Sequence, residues 1–206
     1  MQHGIKSFRE QALETIARNI IKEYDPTLLG SDPRAIPIEE IIEQHLNLTI
    51  EYQYIRKNGR ILGETVFDDD LIPIYDKEDG KGYTFVWMDK GTIVIDASLL
   101  ECKNDGRLRF TLAHELAHWL IHNEYYCNLG EVATMKTDIR RSSDTDKYIE
   151  RQADILAGHL LMPKGQVKMA FNRLRGKSAN IISDLAERFD VSKQAMEIKL
   201  NSCNLL

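Results

Sequence analysis

His114-Glu115-Leu116-Ala117-His118 is the stretch on which the reading of this chain turns. On a helix, residues four apart share a face, so His114 and His118 can aim two imidazoles at one metal ion. Glu115 projects beside them, placed to take a proton from a metal-bound water. The flanks favour a helix: Arg109 to Ala113 leads in, Trp119 to Ile121 leads out, and no Gly or Pro falls between Leu108 and Asn123. Leu112, Leu116, Trp119 and Leu120 supply a second stripe, expected to face the core. An ordinary helix carrying two solvated histidines would spell the same five letters, so a third ligand has to be found.

A zinc enzyme of this kind needs three protein ligands and an open fourth position. The candidate third ligand is Glu150, on a helix predicted to open at Ser143 or Asp144 and to stop before Pro163. Glu150 and Asp154 are four apart and share a face. That face can give the metal a carboxylate from Glu150 and give a ligand histidine an outer partner in Asp154, because ligating imidazoles usually donate their other N–H to such a group. A solvated acidic face is the plain alternative, but these two acids lie on a helix otherwise rich in Leu, Ile and Ala.

With both blocks in view, the chain resembles the ImmA/IrrE-type metallopeptidases of bacteria and their mobile elements. The matching residues are Ile93-Val94-Ile95-Asp96, Arg109 through His118, and Glu150-Arg151-Gln152-Ala153-Asp154 running into Leu160-Leu161-Met162-Pro163. The resemblance extends more loosely from about Pro37 to the C-terminus. It implies a zincin-like, gluzincin-type fold, one zinc per chain on His114, His118 and Glu150, and Glu115 as the catalytic carboxylate. It also implies a protein substrate, a helix-turn-helix repressor encoded nearby, whose cleavage would make this protein an anti-repressor. Two features depart from the family pattern. Position 154 is Asp where Asn is frequent, and the stretch from Asn123 to Lys147 is long and polar, so substrate selection there does not carry over.

Composition agrees. A chain of 206 residues with 43% hydrophobic content can bury one sizeable core. A net charge of −5 argues against general nucleic-acid affinity. No apolar run approaches the roughly 20 residues of a membrane span, and no signal-peptide pattern appears. Cys102, Cys127 and Cys203 are odd in number and widely spaced, which suits free thiols in a cytoplasmic protein.

The order of elements is α+β. Ser7 is expected to cap a helix reaching Tyr24, and Pro37 to open a second. Leu48 to Tyr54 alternates as a strand does, Asn58-Gly59 reads as a turn, and Ile61 to Phe67 as the returning strand. Asp68 to Asp70 and Asp76 to Gly82 read as a solvated acidic loop. Thr84 to Met88 and Thr92 to Asp96 read as a hairpin around Asp89-Lys90-Gly91. A small sheet thus precedes the active helix, with an edge strand suited to pairing with a substrate backbone.

Residues 1–162 are expected to form the metallopeptidase domain, with 163–206 a helical, helix-turn-helix-like appendage packed on it. In the appendage Ser192 is the expected cap of the last helix. DNA binding would need cations there. From Ser178 to Leu200, three cations face four acids, a balance of −1, which favours a packed helical hairpin. His122 lies another turn beyond His118, about 6 Å along the axis and too far to ligate the same ion. With Tyr125 and Tyr126 it is a candidate donor to the transition state. His159 falls on the side of its helix opposite Glu150 and reads as structural.

Overall fold

The computed structural model describes residues 6–57, 61–77, 82–101, 105–128 and 144–206. The chain is mixed α+β, and its central helix is α4 (Asp105–Cys127), which follows a short α3 (Ser98–Glu101). One stripe of α4, Leu112, Ala113, Leu116 and Ala117, is fully buried; Trp119 and Leu120, expected in that stripe, are only half-buried. Against it lies α5 (Asp144–Leu161), which buries Ile149, Ala153, Leu156, Ala157, Leu160 and Leu161. On the far side of α5 packs α1 (Glu10–Tyr24), through Leu13, Ala17 and Ile21. Its N-cap is Arg9, not Ser7; the Ser7 hydroxyl instead meets that of Tyr148 on α5. The expected caps of α5, Ser143 and the Asp144 side chain, lie outside the described residues. A short α2 (Ile38–Glu40) follows Pro37 and continues into a wider π turn over Ile41–His45.

Beneath α4 runs a three-stranded sheet in the order β1 (Thr49–Gln53), β5 (Thr92–Asp96), β2 (Gly63–Thr65). The central strand β5 is buried along its whole length. It pairs parallel with β1, Ile50 opposite Ile93, and antiparallel with β2, Glu64 opposite Val94. Strand alternation then divides the interior. Ile93 and Ile95 join the main core with the helices, while Val94 joins Ile55, Ile61, Val66, Ile72, Ile74 and Met88 on the opposite side.

That second cluster lies under a separate hairpin, β3 (Asp70–Asp76) with β4 (Gly82–Met88), paired antiparallel from Asp70–Met88 to Asp76–Gly82. Three sequence expectations fail here. The segment 61–67 does not return along β1, since both strands flank β5. β4 does not pair with β5 but with β3, whose two ends, Asp70 and Asp76, are expected from sequence in an acidic loop. The physical reason is common to all three: β5 is buried and needs a partner on each edge, so β1 and β2 occupy them, and β4 must pair elsewhere. Pro73 and the flanking aspartates disguised β3, yet a proline is tolerated in an edge strand such as this. The outer face of the hairpin presents Leu71, Tyr83, Phe85 and Trp87 to solvent. Asn58-Gly59 and residues 78–81 lie outside the described residues.

After Pro163 come α6 (Lys164–Leu174), α7 (Ile181–Phe189) and α8 (Lys193–Ser202). Asn180 caps α7 and Ser192 caps α8, each accepting a backbone N–H three residues on. Asp190, at φ +52°, makes the left-handed turn between them. Val167, Phe171, Leu185, Phe189, Met196 and Leu200 belong to the same core cluster as Leu112 and Ile93. Buried Arg109 ties the start of α4 to this region. Its guanidinium donates to the main-chain oxygens of Ile36 and Asp190 and pairs with the Asp190 and Glu39 carboxylates. Among the described residues, no helix is long and apolar enough to cross a membrane.

Candidate metal centre

Helix periodicity sets the site. His114, one residue away from the buried stripe of α4, and His118 one turn later face α5, where Glu150 faces back. The two Nε2 atoms are 3.0 Å apart. Glu150 Oε2 is 3.1 Å from His114 Nε2, and Oε1 is 3.6 Å from His118 Nε2. These residues form a group able to hold a metal ion. The fit can be tested on the spacing. Ligand atoms about 2.05 Å from a tetrahedral zinc lie about 3.3 Å from one another; the three distances, the two to Glu150 made by different carboxylate oxygens, straddle that value. The donor set, two imidazoles and a carboxylate, suits zinc among the divalent metals.

The outer nitrogens are also engaged. Asp154 Oδ1 is 3.0 Å from His114 Nδ1, so the helix face expected to provide both carboxylates does present both. Burial opposes a charge on His114, but Asp154 and Glu150 outweigh it and raise its pKa to about 10. Glu150 shows the converse: burial pushes its pKa up, yet the bonds to His114 and His118 hold it well below the usual carboxylate range. This is a pocket organised around positive charge. The Glu150 and Asp154 side chains are themselves partly exposed, at 42% and 57%, and an open depression of about 460 Å³ lined by Lys147, Glu150, Arg151 and Asp154 borders them.

Glu115 sits on the sheet side, 8% exposed. Its Oε2 and its main-chain oxygen lie 2.8 and 3.0 Å from the Thr65 hydroxyl of β2. Strand β2 comes this close because residue 63 is glycine: a Cβ there would lie 2.7 Å from Glu115 Cγ and Oε1. Neither Gly63 nor Thr65 was singled out from sequence. The available signal was a glycine inside a strand pattern, which often marks close backbone approach.

His122 is not where a transition-state donor would be. It is 1% exposed and lies behind His118, its Nδ1 3.1 Å from His118 Nδ1. Burial and then the charges of His118 and His114 lower its pKa to about 3. Tyr126 does border the site, edge-on to His118 at 6.3 Å between centroids and stacked on Phe67 at 4.5 Å. Burial, then the carboxylates of Glu150 and Glu115, raise its phenol pKa. Cys127 hydrogen-bonds Phe67 and Asn123 and stays out of the metal group.

The family described as the IrrE N-terminal-like domain, Peptidase_M78, matches residues 74–201, more than half of the chain, and the chain belongs to this family. The match starts at β3, well after Pro37, and covers both helices of the metal centre. No curated protein matches the sequence. Membership makes the chain a member of a peptidase family and implies a metal, for which His114, His118 and Glu150 are the group able to serve.

Proposed function

We propose that the protein is a zinc-dependent endopeptidase of zincin-like fold, and that it cuts a helix-turn-helix repressor encoded nearby, so acting as an anti-repressor. The observation that carries the enzymatic part is the convergence of His114, His118 and Glu150 beside a carboxylate, Glu115, held by a separate element. These three residues would hold one zinc per chain and leave a fourth position open. Zinc held there would supply Lewis acidity, polarising a scissile carbonyl and acidifying a water at the fourth position. Glu115 is the proton acceptor. Thr65 engages its Oε2, which leaves Oε1 to take the water's proton and later deliver it to the leaving amine. Asp154 keeps the His114 ring oriented. We assign Tyr126 as donor to the developing oxyanion, since its raised pKa keeps the phenolic proton in place.

The repressor as substrate rests on the resemblance set out above. This reading gives the chain no direct role on DNA and places it in the cytoplasm. Two facts support the first point. Of the cations on α7 and α8, Lys199 is buried against His159, and Arg188 is bonded to Pro33 and Asp32. Residues 163–206 we take as an appendage of the peptidase domain. The free thiols of Cys127 and Cys203 support the second point.

Replacement of Glu115 by Gln tests the assignment. The variant keeps the side-chain shape but cannot accept a proton. It should retain zinc while cleavage of the neighbouring repressor, followed by mass spectrometry, falls by at least about 100-fold. Undiminished cleavage refutes the proton-transfer role. A protein that only binds the repressor would show no cleavage with either form.

A further inference from the structure

We propose that His122 is a positioning residue of the metal centre, its Nδ1 accepting the Nδ1–H of His118 and so holding the His118 Nε2 toward Glu150 and His114. The inference rests on the metal-centre reading above and adds a residue outside the ligand set.

A neutral imidazole carries one proton, and His118 can offer a lone pair at Nε2 only if that proton sits on Nδ1. The proton then needs an acceptor. His118 is 6% exposed and His122 1%, so bulk water does not fill the position. Instead the His122 Nδ1 lies 3.1 Å away, with the two rings 5.1 Å apart and inclined at 47°. One helical turn accounts for this: it carries His122 too far along the axis to reach the metal, but brings it level with the nitrogen of His118 that points away from the metal.

A second observation is independent of that contact. To accept at Nδ1, His122 must carry its own proton at Nε2, and Nε2 is buried with no hydrogen-bond partner among the described residues. Buried polar atoms left in that state are uncommon and call for a reason. Packing alone supplies none, because a leucine or phenylalanine would fill the space without stranding an N–H. The two ligand histidines are thus steadied by different means. His114 has the carboxylate of Asp154, and His118 has a neutral imidazole, which orients the ring without adding a further negative charge to a pocket that already holds Glu115 and Glu150.

The test uses the full chain, with zinc affinity measured by competition against a chromogenic chelator and thermal unfolding of the zinc-free protein measured in parallel. His122→Phe should bind zinc about 10- to 100-fold more weakly, while the zinc-free variant melts at or above the temperature of the unaltered protein. A merely structural histidine would move the melting temperature down and leave affinity unchanged. His122→Asn, whose Oδ1 falls where Nδ1 was, should keep affinity within about threefold. The visible spectrum of the cobalt-substituted protein should change in His122→Phe and not in His122→Asn. Unchanged affinity and cobalt spectrum in His122→Phe would overturn the proposal. If His122→Phe does not fold, His122→Asn is compared with His122→Gln, whose amide oxygen reaches past the Nδ1 position, and equal affinities overturn it. Failure of the unaltered protein to bind zinc refutes the metal-centre reading itself, a distinct outcome.

Discussion

Helix α5 borders two histidine neighbourhoods on opposite sides, and they treat charge in opposite ways. On one side, Glu150 and Asp154 face His114, whose pKa rises to about 10. On the other, His159 faces Lys199 of α8, 3.0 Å from Nδ1 to Nζ, and its pKa falls to about 4. Both histidines are largely desolvated, which by itself lowers the pKa of each. What differs is the company. Two carboxylates hydrogen-bond His114, whereas buried cationic Lys199 is the close neighbour of His159, with Glu10 a distant 3.8 Å from Nε2. The lesson is that burial does not make a metal site. The first neighbourhood attracts a cation and opens to solvent; the second already contains one and is sealed between α1, α5 and α8.

The strongest way to break this contrast is to remove its anionic partner. Glu150→Ala should lower zinc affinity by more than about 100-fold, beyond the range for outer partners, with Glu124→Ala, exposed on α4, as the unaffected control. Zinc content of the purified variants checks this, and equal content removes Glu150 from the site. Next in size, Asp154→Ala should weaken zinc binding about 10- to 100-fold without abolishing it, read by chelator competition. Equal affinity would reduce Asp154 to an exposed acid that happens to be near.

The smallest effect belongs to the sealed neighbourhood. Burial, partly offset by Cys203, Glu14 and Glu10, lowers the Lys199 pKa from 10.5 to about 8. The folded protein therefore releases this proton above about pH 8, while the unfolded chain holds it to about 10.5. Between those values the unfolded state binds more protons, so stability contributed by this group rises with pH; below pH 8 its charge is a cost. Lys199→Met should remove that rise and stabilise the fold at pH 7 by roughly 1 kcal/mol, measured by denaturant unfolding at several pH values. An unchanged pH slope would show that Lys199 is not the titrating group.

Much of the site was legible because it is local. His114, Glu115 and His118 sit within five residues, and helical spacing alone gives them a common side; Glu150 and Asp154 are likewise joined by one turn. The caps at Ser192 and the buried stripe at Leu112 and Leu116 are local in the same sense. The braces were not legible, because they are made between elements. Thr65 and Gly63 reach Glu115 across 50 residues or so of chain, on a strand of three residues with little pattern of its own. His122 was visible as a residue but not as a partner, since its direction depends on what buries it.

By itself the sequence determined the α+β order, the two helices of the metal centre and the residues each turns toward the other, since hydrophobic and ligand periodicities are properties of single segments. Only the tertiary structure decided which strands pair. A turn signal such as Asp89-Lys90-Gly91 says that the chain reverses, but pairing is chosen by which strand is most deeply buried, and β5 claimed β1 and β2. The same competition delivered β2 to Glu115, and the packing of α8 on α5 closed His159 away from any metal. Those outcomes depend on burial summed over distant segments, and no single segment carries that sum.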